Sequence, residues 1–231
     1  MSFSEAAYFE AIDQTWPAAS YYQEQGWVFR EGRGGGKRVS AASALDPEAS
    51  VEFALGQFKR LKERPLFMLR KEDQGIDDKL DALGFAIVEP VDVMSSPLTM
   101  IDMDLDIYAH NTPTQSAQEI WAEGGIGDPR LAVMARADCA KSYLQIEDKA
   151  VAFVAVWRKI AMVHALEVRK SARRQGLGKK LMQLAMGWAA KEGAAELAIL
   201  TVKANTPAQQ LYRGMGFKDV AHYHYRLSPD V

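Results

Sequence analysis

The alternation of apolar and polar positions is most regular after residue 140. Residues 142–146 and 150–158 read as two strands around the turn Glu147-Asp148-Lys149. A second short turn at Arg158-Lys159 leads into 162–168 (MVHALEV), a nearly continuous apolar run that predicts a largely buried strand. Leu181, Leu184, Ala185 and Trp188 then recur at i, i+3, i+4 and i+7, the stripe of an amphipathic helix reaching about residue 191, with Gly193 as its stop. Residues 196–202 (ELAILTV) are rich in β-formers. The next helix has three agreeing start signals: Thr206 can cap it, Pro207 suits its first turn, and Gln209 completes a capping box. It carries Leu211 and Tyr212 and stops at Gly214 or Gly216. Residues 218–227 (KDVAHYHYRL) form a last strand. The order β-β-β-loop-α-β-α-β predicts an α/β unit.

The first hundred residues are less regular, but they hold one echo. Residues 79–85 (KLDALGF), followed by a β-like run to 94, parallel 211–217 (LYRGMGF), followed by the strand to 227. Both segments end in Gly-Phe, 132 residues apart, and Leu80 stands where Tyr212 stands. This predicts a worn tandem repeat whose first copy lacks the chemistry of the second, with 90–97, bounded by prolines, as linker. The chain then divides into 1–95 and 96–231; an unrelated N-terminal cap domain is the alternative.

Between the 162–168 strand and the following helix lies Arg173-Arg174-Gln175-Gly176-Leu177-Gly178. A glycine turn at a helix N-terminus presents backbone N–H groups that have no partner within the helix, and with the helix dipole they suit phosphate oxygens. Gly176 and Gly178 let an anion approach closely, and Arg173, Arg174, Lys179 and Lys180 add positive charge. This reads as a diphosphate seat, against the plainer alternative of a tight turn. Spacing excludes two commoner nucleotide loops. A GxGxxG from Gly176 needs glycine where Leu181 stands, and a Walker loop over Gly32–Arg38 needs glycine at Glu31 and Ser or Thr at Arg38. The second cluster is better read as a hairpin tip.

Composition narrows the class. The 231 residues, 48% hydrophobic and 25% charged, suit one large or two small globular domains. No run of 18 apolar residues and no signal-peptide pattern occur, so no membrane partner is expected. The single Cys139 excludes an internal disulfide and fits a reducing, cytoplasmic setting. One cysteine and four histidines argue against a structural metal. The net charge of −2 hides an asymmetry: residues 151–231 carry 13 basic and 5 acidic side chains, and residues 1–150 carry 15 and 25. A basic C-terminal part fits an anionic cofactor. Its charges sit at one loop without interleaved aromatics, which speaks against nucleic acid.

A strand ending Leu166-Glu167-Val168, then Arg173-x-x-Gly176-x-Gly178, then Asn205, then Leu211-Tyr212-x-x-x-Gly216-Phe217, together resemble the GNAT superfamily of acetyl-CoA-dependent N-acyltransferases. The resemblance covers about residues 100–231 and implies a mixed α/β sheet of the GNAT fold, with residues 1–95 as a partial, degenerate copy. It implies that Val168 and the loop Arg173, Arg174, Gln175, Gly176, Leu177, Gly178 and Lys179 bind coenzyme A. It implies further that the 162–168 strand splays from 196–202 to pair with the pantetheine arm, that Asn205 holds the same arm, and that Tyr212 protonates the departing thiolate. A phenol near ~10 also suits a thiolate near ~8.5; the alternative is an aromatic on the buried face of its helix.

Glu167 interrupts an apolar strand beside the expected thioester, so it is the candidate base, directly or through water; an outward-facing strand residue is the competing reading. His164, three residues earlier, falls on the opposite face by strand alternation. His222 and His224 share a face of the last strand and read as solvent or pocket-wall residues. The resemblance implies an acceptor pocket built from the segments before the core, here 106–127 including Trp121, with the N-terminal half as a further contributor; Asp106, Glu119 and Glu123, with Asp138, could meet a cationic amine. The expected activity is transfer of acetyl from acetyl-CoA to a primary amine, of a small molecule, by direct attack in a ternary complex, in a monomer or homodimer. A protein or peptide N-acetyltransferase and a non-catalytic coenzyme A-binding regulator are the alternatives.

Overall fold

The computed structural model describes residues 3–98, 105 and 107–229. Along the chain run α1 (Glu5–Thr15), β1 (Ser20–Glu24), β2 (Trp27–Glu31), β3 (Ser43–Ala44), α2 (Val51–Leu61), β4 (Leu66–Arg70), α3 (Gln74–Ala82) and β5 (Ala86–Pro97). Then come β6 (Ala109–His110), α4 (Gln115–Glu123), α5 (Asp128–Arg136), β7 (Ala140–Ile146), β8 (Ala150–Trp157) and β9 (Ile160–Val168). The chain closes with α6 (Leu177–Lys191), β10 (Glu196–Val202), α7 (Thr206–Gly214) and β11 (Lys218–Leu227). Two compact units interleave in sequence: residues 1–17, 93–201 and 207–220 form one, and 18–92, 202–206 and 221–231 the other.

In the first unit β7, β8 and β9 are an antiparallel meander, and β10 pairs parallel to β9. The mixed sheet is thus present. One of its faces packs on the stripe of α6, where Leu181, Leu184 and Ala185 are fully buried among Leu144, Ala152, Val154, Ala161, Val163 and Leu197. On the other face Trp16 of the α1 C-cap meets Phe153 and His164, and Trp121 of α4 meets Tyr143. α1 and α4 both start at hydroxyl caps, Ser4 accepting from the Ala7 N–H and Thr114 from the Ala117 N–H.

In the second unit β1, β2 and β3 form a small sheet and β4 pairs antiparallel with residues 223–227. Its core is aromatic: Trp27, Phe29, Phe58, Phe67 and Phe85 pack around Leu69, Ile76 and Leu80. The Gly32–Arg38 cluster connects the antiparallel pair β2 and β3. The hairpin-tip reading therefore holds, with a short 3₁₀ turn over Lys37–Val39.

One expectation is corrected. Residues 90–97 are no linker but the second half of β5, so a boundary at 95/96 falls inside a strand. The two prolines suggested a break. Pro90 lacks an N–H but keeps its carbonyl, which accepts the Lys203 N–H at 2.8 Å. Residues 91–96 are all buried.

The sequence echo has a local physical basis. At Gly84 (φ +80) the Phe85 N–H donates to Leu80 O and the Gly84 N–H to Asp81 O. At Gly216 (φ +88) the Phe217 N–H donates to Tyr212 O and the Gly216 N–H to Arg213 O. Both are Schellman ends, with Leu80 and Tyr212 at the same position. Such an end is a general helix stop, so it accounts for the echo without common descent.

Candidate active site

The loop before α6 has the backbone geometry that an anion seat requires. Arg174 (φ +61) and Gly176 (φ +78) both take left-handed conformations, and alternation of handedness turns successive N–H groups towards one concavity. Gly176 is the N-cap residue and no side chain caps the helix. The Lys180 N–H is the first to find a helical partner, Gly176 O at 3.0 Å, so the N–H groups of Leu177, Gly178 and Lys179 are available to an external acceptor. A cavity of about 290 Å³ opens here, lined by Val168, Arg173, Arg174, Gly176, Gly178 and Lys179, with Pro207 and Leu211 of α7 opposite. The Arg173 Nε donates to Val168 O at 3.2 Å, which folds the loop back on the end of β9. Lys180, counted among the charges, instead turns its Nζ to the Tyr108 hydroxyl at 3.2 Å.

β9 is not a regular strand. Ala150 faces Val168 and Val151 faces Glu167, but Phe153 faces His164, so Ala165 and Leu166 together oppose Ala152. This is a β-bulge, and Ala165 at its apex has φ +50, a strain of ~1–3 kcal/mol for a residue with a side chain. Pairing between β9 and β10 ends at Val163 and Ile199, just before the bulge. The two strands therefore part where the bulge begins.

The bulge also corrects the assignment of faces. Val151 and Phe153, two apart on β8, face the same side, so their partners Glu167 and His164 do too. Leu166 and Val168 pack with Val163 on the α6 side. Simple alternation had set His164 and Glu167 on opposite faces; one extra residue brings them to the same one. They still differ in role. His164 is buried, lies tilted against Trp16 and meets the Thr15 hydroxyl at 2.8 Å. That hydroxyl already donates to Ala11 O at 2.6 Å, so the imidazole Nε2 must carry the proton and donate. Glu167 instead lines a cavity of about 410 Å³ with Ile120, Glu123, Gly124, Arg169 and Lys170. Burial raises its carboxyl above the ordinary range, with Arg173 and Arg130 opposing. The two cavities share Val168 and Arg173.

This geometry agrees with what the chain resembles. Residues 104–217 match the model of the "Acetyltransferase (GNAT) family". That segment is a GNAT acetyltransferase domain. GNAT enzymes are acetyl-CoA-dependent acyltransferases, and the loop, the splay and the neighbouring carboxylate all lie within the matched residues. The chain is 23% identical to the uncharacterized N-acetyltransferase YobR of Bacillus subtilis (strain 168), over 92% of this chain and 94% of that protein. A GCN5-related N-acetyltransferase from Kribbella flavida shares the fold at TM-score 0.70 and 18% identity, over 100% of this chain and 98% of that one. One from Sphaerobacter thermophilus does so at TM-score 0.60 and 13% identity, over 92% and 84%. The shared fold thus extends over the N-terminal residues as well as the matched domain.

The remaining GNAT candidates fall as follows. Tyr212, on α7, is 6% exposed; burial and the Glu167 charge push its hydroxyl up to about 12. Its ring packs on Phe217 at 6.0 Å. Asn205 is exposed in the segment 202–206, which clusters with the second unit, and its N–H donates to Val202 O at 2.8 Å. Gln175 is exposed and holds Ser171 O at 3.5 Å. Of the candidate acids, Glu119 and Glu123 both pair with Arg169, Asp138 is exposed elsewhere, and Asp106 lies outside the described residues. His222 and His224 are bound to Asp92 and Asp77 in the second unit, where they line a separate cavity.

Sequence reasoning named Trp121 as a pocket residue but missed its bond to the strand, and it missed Gly124 and Arg130 altogether. Trp121 donates its indole N–H to Ala165 O at 2.7 Å, Gly124 lies against Glu167, and Arg130 faces the same carboxylate. The pair Gly124-Gly125 after the α4 pattern was the one signal that could have been read. Among the described residues no cluster of three metal-ligating side chains occurs, and no helix is long and apolar enough to cross a membrane.

Proposed function

We propose that this domain moves the acetyl group of acetyl-CoA to the primary amine of a small molecule, by direct attack with both substrates bound. One observation carries the reading: two cavities meet at Val168 and Arg173, one at an uncapped helix N-terminus and one at a desolvated carboxylate. The first suits a diphosphate, the second an amine. Acetyl-CoA supplies an acyl carbon activated as a thioester. The N–H groups of Leu177, Gly178 and Lys179, with Arg173 and Arg174, hold the diphosphate, and the β9 edge beyond Val163 holds the pantetheine arm. Glu167 takes a proton from the amine, directly or through water, as the new C–N bond forms. Tyr212 gives a hydrogen bond to the sulfur as the C–S bond breaks. Orientation supplies much of the rate, since effective molarities of about 10⁵ M or more are available from juxtaposition. We further place the reaction in the cytoplasm.

The test is release of free thiol from acetyl-CoA across a panel of small amines and N-terminal peptides, beside calorimetric binding. Turnover on small amines supports the reading. Turnover on peptides alone replaces the acceptor class, and binding without turnover on any acceptor makes the protein a coenzyme A-binding regulator. Absence of binding overturns the seat before α6.

A further inference from the structure

The bulge in β9 costs strain at Ala165 and yet fixes which side Glu167 faces. In a regular strand Glu167 and Leu166 would exchange sides, leaving the carboxylate against the α6 core and a leucine in the cavity. Two residues of the last turn of α4 meet this segment. The indole of Trp121, fully buried, donates to Ala165 O at 2.7 Å and so ties down the apex of the bulge. Gly124, the C-cap of α4, lies so near the Glu167 side chain that a methyl group there would stand 2.6 Å from Glu167 Cδ and 2.9 Å from Cγ. Gly124 has φ −82 and ψ 0, which any residue adopts. Its lack of a side chain therefore serves the carboxylate, not the backbone.

We propose that the end of α4 is the positioning device for the base: Trp121 clamps the bulge that turns Glu167 into the cavity, and Gly124 leaves the space in which its carboxylate lies. Trp121 and Gly124 are positioning residues, acting through Glu167, and the inference rests on the reading of Glu167 as the base.

The test compares wild type with Gly124→Ala, Trp121→Phe, Glu167→Gln and the double variant Gly124→Ala/Glu167→Gln. Gly124 is exposed and its backbone is unstrained, so Gly124→Ala keeps the fold and displaces only a flexible side chain. Expected for Gly124→Ala are a kcat lower by about tenfold or more, a shifted acid limb of the pH profile, and unchanged melting temperature and acetyl-CoA affinity. In the double variant the alanine adds no further loss, because its effect passes through Glu167. Trp121→Phe should lose kcat in the same way with a retained fold; should it fail to fold, Gly124→Ala carries the test alone. If Glu167→Gln lowers kcat and Gly124→Ala leaves both kcat and the acid limb intact, or adds its full loss in the double variant, the positioning role is overturned while the base stands. If Glu167→Gln behaves as wild type, the base reading fails and takes this inference with it.

Discussion

Replacing Tyr212 by phenylalanine separates two ways in which a phenol can help a thiolate leave. The hydroxyl is pushed up to about 12 by burial and by the Glu167 charge, whereas a thiol has a pKa near ~8.5. Complete proton transfer from one to the other runs uphill by a gap of ~3.5, or about 5 kcal/mol at ~1.36 kcal/mol for each pKa unit. A hydrogen bond to the departing charge avoids that cost and is worth about 1.5–3 kcal/mol. On the proposed mechanism Tyr212 therefore donates a hydrogen bond, and the proton reaches sulfur later, from water. Phenylalanine retains the ring packing on Phe217 and removes the donor, so kcat should fall roughly 10- to 150-fold while acetyl-CoA binding persists. The assay is thiol release over a wide pH range, with calorimetric binding on both proteins. Because the hydroxyl stays protonated until the pH nears 12, wild type should show no basic limb from Tyr212 below about pH 11. A basic limb between about pH 8 and 10 that disappears in Tyr212→Phe would refute this reasoning, as would a loss of kcat under about threefold.

Three further outcomes follow from the same geometry. The raised carboxyl of Glu167 should make kcat/KM decline, as pH falls, at a higher pH than the ~4.3 of an ordinary glutamate, and Glu167→Gln should abolish that acid limb in a pH–rate profile. Gly176→Ala meets no atom within 4 Å but must hold φ +78. It should lose about 1–2 kcal/mol of stability, seen as a melting point lower by roughly 2–8 °C, and bind acetyl-CoA more weakly by calorimetry. Leu184→Ala, at a fully buried position of α6, should cost about 2–5 kcal/mol in urea unfolding followed by circular dichroism.

What the sequence revealed depended on how local the determinants were. The bounds of β10 and β11 and the end of α6 at Lys191 coincide with the expected ones, because each is set by period and by adjacent stop signals such as Gly193, at φ +77. The loop before α6 was legible for the same reason, since the left-handed position falls on a glycine at 176. The bulge was not. Ala165 is neither glycine nor asparagine, and nothing in MVHALEV marks it as left-handed. Its conformation is held by the indole of Trp121, 44 residues earlier in the chain. That single unread residue reversed the relation of His164 to Glu167. The continuation of β5 through 90–97 was misread for the opposite reason, as its prolines are strong local signals overridden by the burial of Val91, Val93 and Met94.

The interleaving of the two units bears on how the chain is made. α1 lies in the same unit as residues 93–201, and its Tyr8 hydroxyl and Thr15 serve Glu196 and His164, more than 140 positions downstream. Tyr212 comes later still. During synthesis α1 must therefore wait until residues through Glu196 have left the ribosome before these polar groups find their acceptors. A polypeptide begun at residue 96 would possess every GNAT motif and still leave the buried Glu196 carboxylate without the hydroxyl donors Tyr8 and Ser95.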